Sequence, residues 1–362
     1  MPGEENMSEQ KAKQLRGMRK LYALGTKRSI DLSLSENPLG CSSVVAEKFV
    51  ASNFAFNDYP APNGIRLKKI LATKFDCKSE NIFVCNGSEA IINAIPNVLA
   101  NPGDEAIIPS LTFPMFAICS DLAGLVVKNS TMDEQLNIDL EAILKLISPK
   151  TKLIFLCNPN NPTGSVIPKD KIICFIERIP ENILIVIDEA NIEFGGESII
   201  ELATIKENIM VLRTFSKGFG LASLRIGFVV GDPRLIAKLE EETPVFPVSG
   251  LSEELAIVAV QDDNFIAQTK AFIDEQRNII QQELKRLGFQ VFPSRANNLF
   301  VKLPDNLSPN IFWTAMEKAD VSLVKGSSFV GFDDRFFRVS PRLETVNRVF
   351  LDVVSQITKG LL

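Results

Sequence analysis

Four short clusters of polar residues could do chemistry in this chain. The first is Thr214-Phe215-Ser216-Lys217-Gly218-Phe219-Gly220, followed by Leu224-Arg225-Ile226-Gly227. A lysine set among Phe, Ser and Gly is poorly solvated, so its pKa falls and its amine becomes a nucleophile able to form a Schiff base. Most lone lysines of this kind are nevertheless structural. Arg225 adds a rigid fork suited to a phosphate. The second cluster, Asp188-Glu189-Ala190-Asn191, follows an apolar run ending at Ile187. A carboxylate at the end of a buried strand is costly unless paired; it reads as a helix cap, as a surface ion pair, or as the partner of a cationic group such as one on a cofactor. The third, Asn158-Pro159-Asn160-Asn161-Pro162-Thr163-Gly164, is a structured loop on any reading. Pro162 restricts Asn161 and could hold its amide in one direction. The fourth is Asn86-Gly87-Ser88-Glu89-Ala90. A Gly-Ser turn opening a helix offers free N–H groups and the positive end of the helix dipole to a phosphate, although Ser88 could equally be a plain N-cap.

Composition narrows the chemistry further. The 362 residues include no histidine. That excludes a Ser-His-Asp triad, a Cys-His pair and any His-ligated metal, and no metal site is expected. The six cysteines show no C-x-x-C spacing and read as reduced thiols of a cytoplasmic protein. Lys and Arg total 39 against 44 Asp and Glu, a net charge of −5, unlike a nucleic-acid binder. No stretch reaches the ~18 apolar residues of a membrane span. The polar start shows no secretory signal.

These clusters need a frame. Apolar runs at 82–85, 106–108, 153–157, 183–187, 209–213 and 226–230 alternate with helical patterns at 89–99, 140–146, 170–177 and 233–241. Continuous apolar strands alternating with helices predict an α/β domain with a largely parallel, doubly covered sheet. Ligands of such sheets bind at the carboxyl ends of strands, which is where each cluster lies. A Pro-rich connector at 243–252 precedes one long or broken helix at 252–287. Strands at 290–292, 299–302, 322–325 and 336–339 and a final helix at 344–357 then suggest an α+β unit. The expected division is 1–44 as an N-terminal arm plus part of the small domain, 45–250 as the large domain and 251–362 as the small domain.

Together the Asn-Pro-Asn-Asn-Pro-Thr-Gly, Asp-Glu-Ala and Ser-Lys-Gly-Phe-Gly-Leu-Ala-Ser-Leu-Arg stretches, in this order, resemble the fold-type-I pyridoxal-phosphate aminotransferases. The likeness runs from Leu34 to Arg338 and is greatest to the histidinol-phosphate aminotransferase branch, which is itself similar to threonine-phosphate decarboxylases. It implies a three-layer large domain with a mostly parallel seven-stranded sheet, a smaller α+β domain, and pyridoxal 5′-phosphate as cofactor. Lys217 would carry the cofactor and move the proton, and Asp188 would pair with its ring nitrogen. Asn161 would hydrogen-bond the ring's 3-oxygen and Phe113 would stack on the ring. Gly87, Ser88, Glu89, Thr214, Ser216 and Arg225 would surround the phosphate. Tyr59 would reach the cofactor of a second subunit in a homodimer. Arg338 would clamp the substrate carboxylate, with Asn37, Gly40, Lys325 and Arg342 as further substrate-side candidates.

The chain departs from the pattern in two places. Asn191 stands where the branch usually has a tyrosine that donates to the 3-oxygen. Lys325 stands where it tends to have an arginine for a substrate phosphate, and a lysine offers only a point charge. Asn37-Pro38-Leu39-Gly40, Arg295-Ala296-Asn297 and the Arg338/Arg342 pair lean towards the decarboxylases, whereas Ser216–Leu221 has the transaminase form. The expected function is amino transfer between an L-amino compound, histidinol phosphate first, and a 2-oxo acid such as 2-oxoglutarate. Decarboxylation of a phosphorylated amino acid is the alternative, and a catalytically silent cofactor-binding module is the third reading.

Overall fold

The strands at 153–157, 184–188 and 209–214 are apolar at every central position, and both of their faces are buried. The structure, a computed structural model describing residues 29–360, shows how. Along β5 (Thr151–Cys157), β6 (Leu184–Asp188) and β7 (Ile209–Thr214) successive side chains enter opposite cores. Leu153, Phe155, Leu184, Val186, Met210 and Leu212 join one core, and Ile154, Leu156, Ile185, Ile187, Ile209 and Val211 join the other. This is the two-residue period of a strand covered on both sides. Each such side chain contributes about 1.5–3 kcal/mol on burial.

The sheet has seven strands in the order β2-β8-β7-β6-β5-β3-β4, with β2 at Ile82–Cys85, β3 at Glu105–Pro109, β4 at Val126–Ser130 and β8 at Gly227–Val230. Six strands run parallel and β8 is antiparallel to both of its neighbours. One face is covered by α3 (Ser88–Leu99), α4 (Met115–Leu122) and α7 (Pro233–Glu241). The other carries α1 (Ser43–Ala51), α2 (Ile65–Lys74), α5 (Leu140–Leu146), α6 (Lys169–Ile176) and α8 (Gly250–Ala259). This is the three-layer α/β architecture expected of a fold-type-I enzyme. Strand β4 and helix α4 escape the sequence pattern: β4 is largely solvent-facing and α4 is short.

The small domain has a four-stranded antiparallel sheet in the order β12-β13-β10-β9, with β9 at Gln290–Val291, β10 at Leu299–Lys302, β12 at Val324–Lys325 and β13 at Phe336–Val339. Helices α10 (Pro309–Lys318) and α11 (Glu344–Thr358) pack on it around Phe312, Phe337 and Phe350. Beside it, β1 (Ile30–Asp31) pairs parallel with β11 (Val321–Ser322). The N-terminal arm expected before it lies outside the described residues.

The expected boundary after residue 250 does not coincide with the change of core. Helix α8 places Leu255, Ala256 and Ala259 in the large-domain core. The chain breaks at Asp262, whose carboxylate caps α9 (Asp263–Arg286). That helix, about 36 Å long at 1.5 Å per residue, packs Ile266 against the large-domain core and Ile280 and Leu284 into the small one. The handover therefore occurs along one continuous helix.

Candidate active site

Four strand ends meet at the carboxyl edge of the large sheet. After β7 the chain forms the loop carrying Lys217. Its start is fixed by Thr214, whose Oγ1 accepts from the Ser216 N–H at 3.1 Å. Burial lowers the Lys217 amine to about 8; the Arg338 and Arg225 charges push in the same direction, while Glu36 and Asp188 oppose them. The amine is thus largely unprotonated only above neutrality, as a nucleophile needs.

Asp188 ends β6 and is 4% exposed. Burial raises its carboxyl to about 6, against the Ala190 N–H, which donates to Oδ1 at 2.8 Å. A cation placed beside it would lower that value again. The next acid, Glu189, turns to the other side. It accepts from Arg213 Nε at 2.9 Å, Ser198 Oγ at 2.7 Å and the Ile199 N–H at 2.8 Å. Arg213 also reaches Glu193 Oε1 at 3.2 Å. Burial pushes Glu193 up to about 7 despite that partner. Its stem underlies the lysine loop: a methyl at Gly218 would lie 2.7 Å from Glu193 Cβ. Sequence reasoning missed this support; the one available signal was a charged residue, Arg213, at the end of an otherwise apolar strand.

The anion cradle forms where α3, β8 and Arg225 converge. Gly87, with φ +83°, is the residue before the first turn of α3, so Ser88 opens the helix rather than capping it. The first-turn N–H groups, from Ser88 and Glu89 onwards, carry the positive helix end. Arg225 is left-handed, with φ +49°, which returns its guanidinium to Ser216 Oγ at 3.3 Å and the Ala222 carbonyl at 3.1 Å. A methyl at Gly87 would lie 2.7 Å from Arg225 Nη2, and one at Gly227 only 2.6 Å from the Ser88 nitrogen. Two glycines therefore let a guanidinium and a helix start approach one another. A cleft of about 550 Å³ lined by Asn86, Arg225, Pro60 and Phe246 opens beside them.

The Asn-Pro loop bridges both domains. Asn160, not singled out from the sequence, is the framing residue. It donates to the Leu111 carbonyl and Thr163 Oγ1, both at 2.9 Å, and accepts from Thr112 Oγ1 at 2.7 Å. Phe113 follows, half-buried and edge-on to Phe116. Asn161 is thereby aimed across the domain seam, where its Oδ1 accepts from Arg338 Nη1 at 2.7 Å. With its oxygen committed to a guanidinium, the amide donates through Nδ2. Arg338, 3% exposed on β13, also donates to the Ser33 carbonyl. Asn37 links the two sides by donating to the Gly218 carbonyl at 2.9 Å and to Thr269 Oγ1 at 3.1 Å. Gly40 lies against Gly220, where any side chain on Gly220 would overlap the Gly40 carbonyl.

Not every candidate converges. Lys325 pairs across the sheet with Phe337, and Val324 with Arg338. Cross-strand partners share a face, so Lys325 points away from Arg338, over the Trp313 ring at 4.8 Å and towards Asp334 at 3.2 Å. Its strand register therefore puts Lys325 on the helix-covered side, away from Arg338. Arg342 is paired with Glu36 at 2.9 Å. Tyr59 is exposed and stacks on Phe246 at 4.8 Å.

The model of the class I and II aminotransferases matches residues 27–352. The chain belongs to that family. It is 35% identical to a histidinol-phosphate aminotransferase of Methanococcus maripaludis over 344 residues, covering 93% of this chain and 92% of the relative. It is 30% identical to an aromatic amino acid aminotransferase of Cutibacterium acnes, covering 98% and 100%. The crystal structure of the histidinol-phosphate aminotransferase from Clostridium acetobutylicum superposes with a TM-score of 0.85 at 26% identity, covering 92% of this chain and 100% of that one.

The site fits the family's cofactor, pyridoxal 5′-phosphate. The glycine-lined cradle at Arg225 suits a phosphate, and the buried Asp188 carboxylate suits a cationic ring nitrogen. When bound, the cofactor supplies the electron sink that stabilises negative charge at the substrate carbon. Lys217 would then hold it and carry the proton, Arg225 and the start of α3 would hold its phosphate, and Asn161 would donate to its ring. Among the described residues no cluster of metal-ligating side chains occurs, and no helix is long and apolar enough to cross a membrane.

Proposed function

We propose that this aminotransferase takes histidinol phosphate as amino donor and a 2-oxo acid such as 2-oxoglutarate as acceptor, working as a cytoplasmic homodimer. One observation carries the substrate reading. The buried Arg338 reaches Asn161 from across the domain seam, which puts an anion anchor beside the residue expected to touch the cofactor ring. Relatives over more than nine-tenths of the chain bear the name histidinol-phosphate aminotransferase. With Lys325 facing away, the donor's phosphate and the acceptor's first carboxylate would share Arg338. Lys217 would accept and return the proton, and its depressed pKa suits both tasks near neutrality.

Surface chemistry supports the dimer. Val50, Phe56 and Tyr59 are 84%, 87% and 83% exposed, beside a groove of about 730 Å³ that Phe54, Phe56 and Tyr59 line. Apolar residues so concentrated mark an interface. Tyr59 stands exposed on this face, stacked on Phe246, and in a dimer formed through it Tyr59 would reach the partner's cofactor. All six cysteines are unpaired, which suits a reducing compartment.

The test is a half-reaction screen without acceptor. Histidinol phosphate should convert the bound cofactor from its aldehyde to its amine form faster than aromatic amino acids or threonine phosphate do. Carbon dioxide release from threonine phosphate with the aldehyde form retained would overturn the reading in favour of the decarboxylase. Sedimentation should show a dimer.

A further inference from the structure

The segment from Ser33 to Gly40 straps the small domain to the lysine loop. The Ser33 carbonyl accepts from Arg338, the Ser35 carbonyl from Asn297 Nδ2 at 2.8 Å, and Ser35 Oγ meets Ser340 Oγ at 2.8 Å. Asn37 then holds the Gly218 carbonyl. Midway along this strap sits Glu36, close enough to Lys217 for its charge to act on the amine. Its Oε2 accepts from Arg342 Nη1 at 2.9 Å. Arg342 is itself fixed at the backbone by Asn347, whose Oδ1 accepts from the Arg342 N–H at 2.8 Å. The guanidinium is therefore one carboxylate away from the reacting amine, on the strap that also contacts Arg338.

The pair is open to water. The side chains of Arg342 and Glu36 are 26% and 45% exposed, and an ion pair this open to solvent is held only weakly. A second anion of better geometry can therefore replace Glu36 on Arg342 at little cost. The strap's other polar groups are committed to backbone and serine partners, and Lys325 faces the opposite side of the sheet. A substrate with one anionic end needs only Arg338 and leaves the pair closed.

We propose that Glu36 and Arg342 form an exchangeable side-chain subsite: a dicarboxylate held at one end by Arg338 displaces Glu36 and binds Arg342 with its other end, whereas a substrate with an uncharged side chain leaves Glu36 on Arg342. This names dicarboxylic 2-oxo acids as one of the two substrate classes and rests on the reading of Arg338 as the first anion anchor.

The test uses protein reconstituted with pyridoxal phosphate and two unreactive acids of equal chain length, glutarate and pentanoate. Dissociation constants are measured by calorimetry, and the glutarate preference is their ratio. In Glu36→Gln the preference should rise about tenfold, because a charge-assisted contact to Arg342 is no longer contested. In Arg342→Gln it should fall to one or below, because Glu36 remains to repel the second carboxylate. The kcat/KM ratio for 2-oxoglutarate over 2-oxopentanoate should move likewise. Opposite shifts from the two members of one pair separate this subsite from a structural salt bridge, whose loss from either side would act in one direction. Equal or same-direction shifts overturn the subsite while leaving the Arg338 reading intact. Wild-type protein that binds neither acid overturns the Arg338 reading and the subsite with it.

Discussion

Replacing Asp188 by Asn should make the cofactor-free protein more stable at neutral pH and the cofactor-bound protein less so. Burial holds the Asp188 carboxyl at about 6 instead of 3.8. Its folded-state pKa therefore lies above the unfolded one, and the folded chain binds more protons than the unfolded chain between those values. Stability is fully present below about pH 4 and is lost as pH rises through about 6. At about 1.36 kcal/mol per pH unit the loss amounts to about 3 kcal/mol. Asn keeps the acceptor for the Ala190 N–H and cannot ionise. The Lys217 charge is already among the causes of that folded value, so the net gain of Asp188→Asn is about 3 kcal/mol at pH 7. Urea unfolding of both apo proteins, at one protein concentration and across pH 4–8, reads this directly. The two should coincide near pH 4, separate between about 4 and 6, and keep a constant gap above about 6. Titration with pyridoxal phosphate should show the opposite order, because a neutral amide no longer stabilises a cationic ring nitrogen. An apo variant no more stable than wild type at pH 7, or a difference that does not depend on pH, would refute the reasoning.

Two more perturbations probe the cradle and the amine. Gly87→Ala places a methyl 2.7 Å from Arg225 Nη2 on a backbone with φ +83°. The guanidinium can swing aside, so the fold should survive with a loss of about 1–3 kcal/mol. Pyridoxal phosphate affinity, measured by equilibrium dialysis, should drop about tenfold or more; unchanged affinity would remove Arg225 from the phosphate site. For Lys217, held near 8 by burial, the rate at which apo protein takes up the cofactor should rise about tenfold per pH unit below that value and level off above it. Lys217→Met should abolish borohydride-stable labelling.

What the sequence disclosed and what it hid divide along physical lines. The apolar runs announced a doubly covered sheet because burial on both faces leaves no polar position, and that signal is local. The low solvation of Lys217 was equally local, since Phe215, Gly218 and Phe219 lie within two residues of it in the chain. Strand β4 was hidden because its exposure pattern runs from exposed to buried without apolar alternation. Ser88 was misjudged as a possible cap because a one-residue difference in where α3 begins turns on the φ of Gly87. The deepest misses concern groups distant in sequence. Arg213 meets Glu189 and Glu193 across separations of 24 and 20 residues, and Asn161 meets Arg338 across 177.

Lys325 shows why such pairings resist spacing arguments. Its distance in sequence from Arg338 said nothing about which side of the sheet it would occupy. The register of β12 on β13 decides that, and a slip by one residue exchanges the two faces. Val324 and Arg338 share the face on which Arg338 meets Asn161, and Lys325 falls on the side of Trp313. The same parity leaves the substrate side of the small domain with Arg338 at its centre. Arg342, beyond the end of β13 and paired with Glu36, is the cation proposed above to meet a second charge. Specificity in this aminotransferase would therefore depend less on which cation stands in the motif than on the registration of one short strand pair.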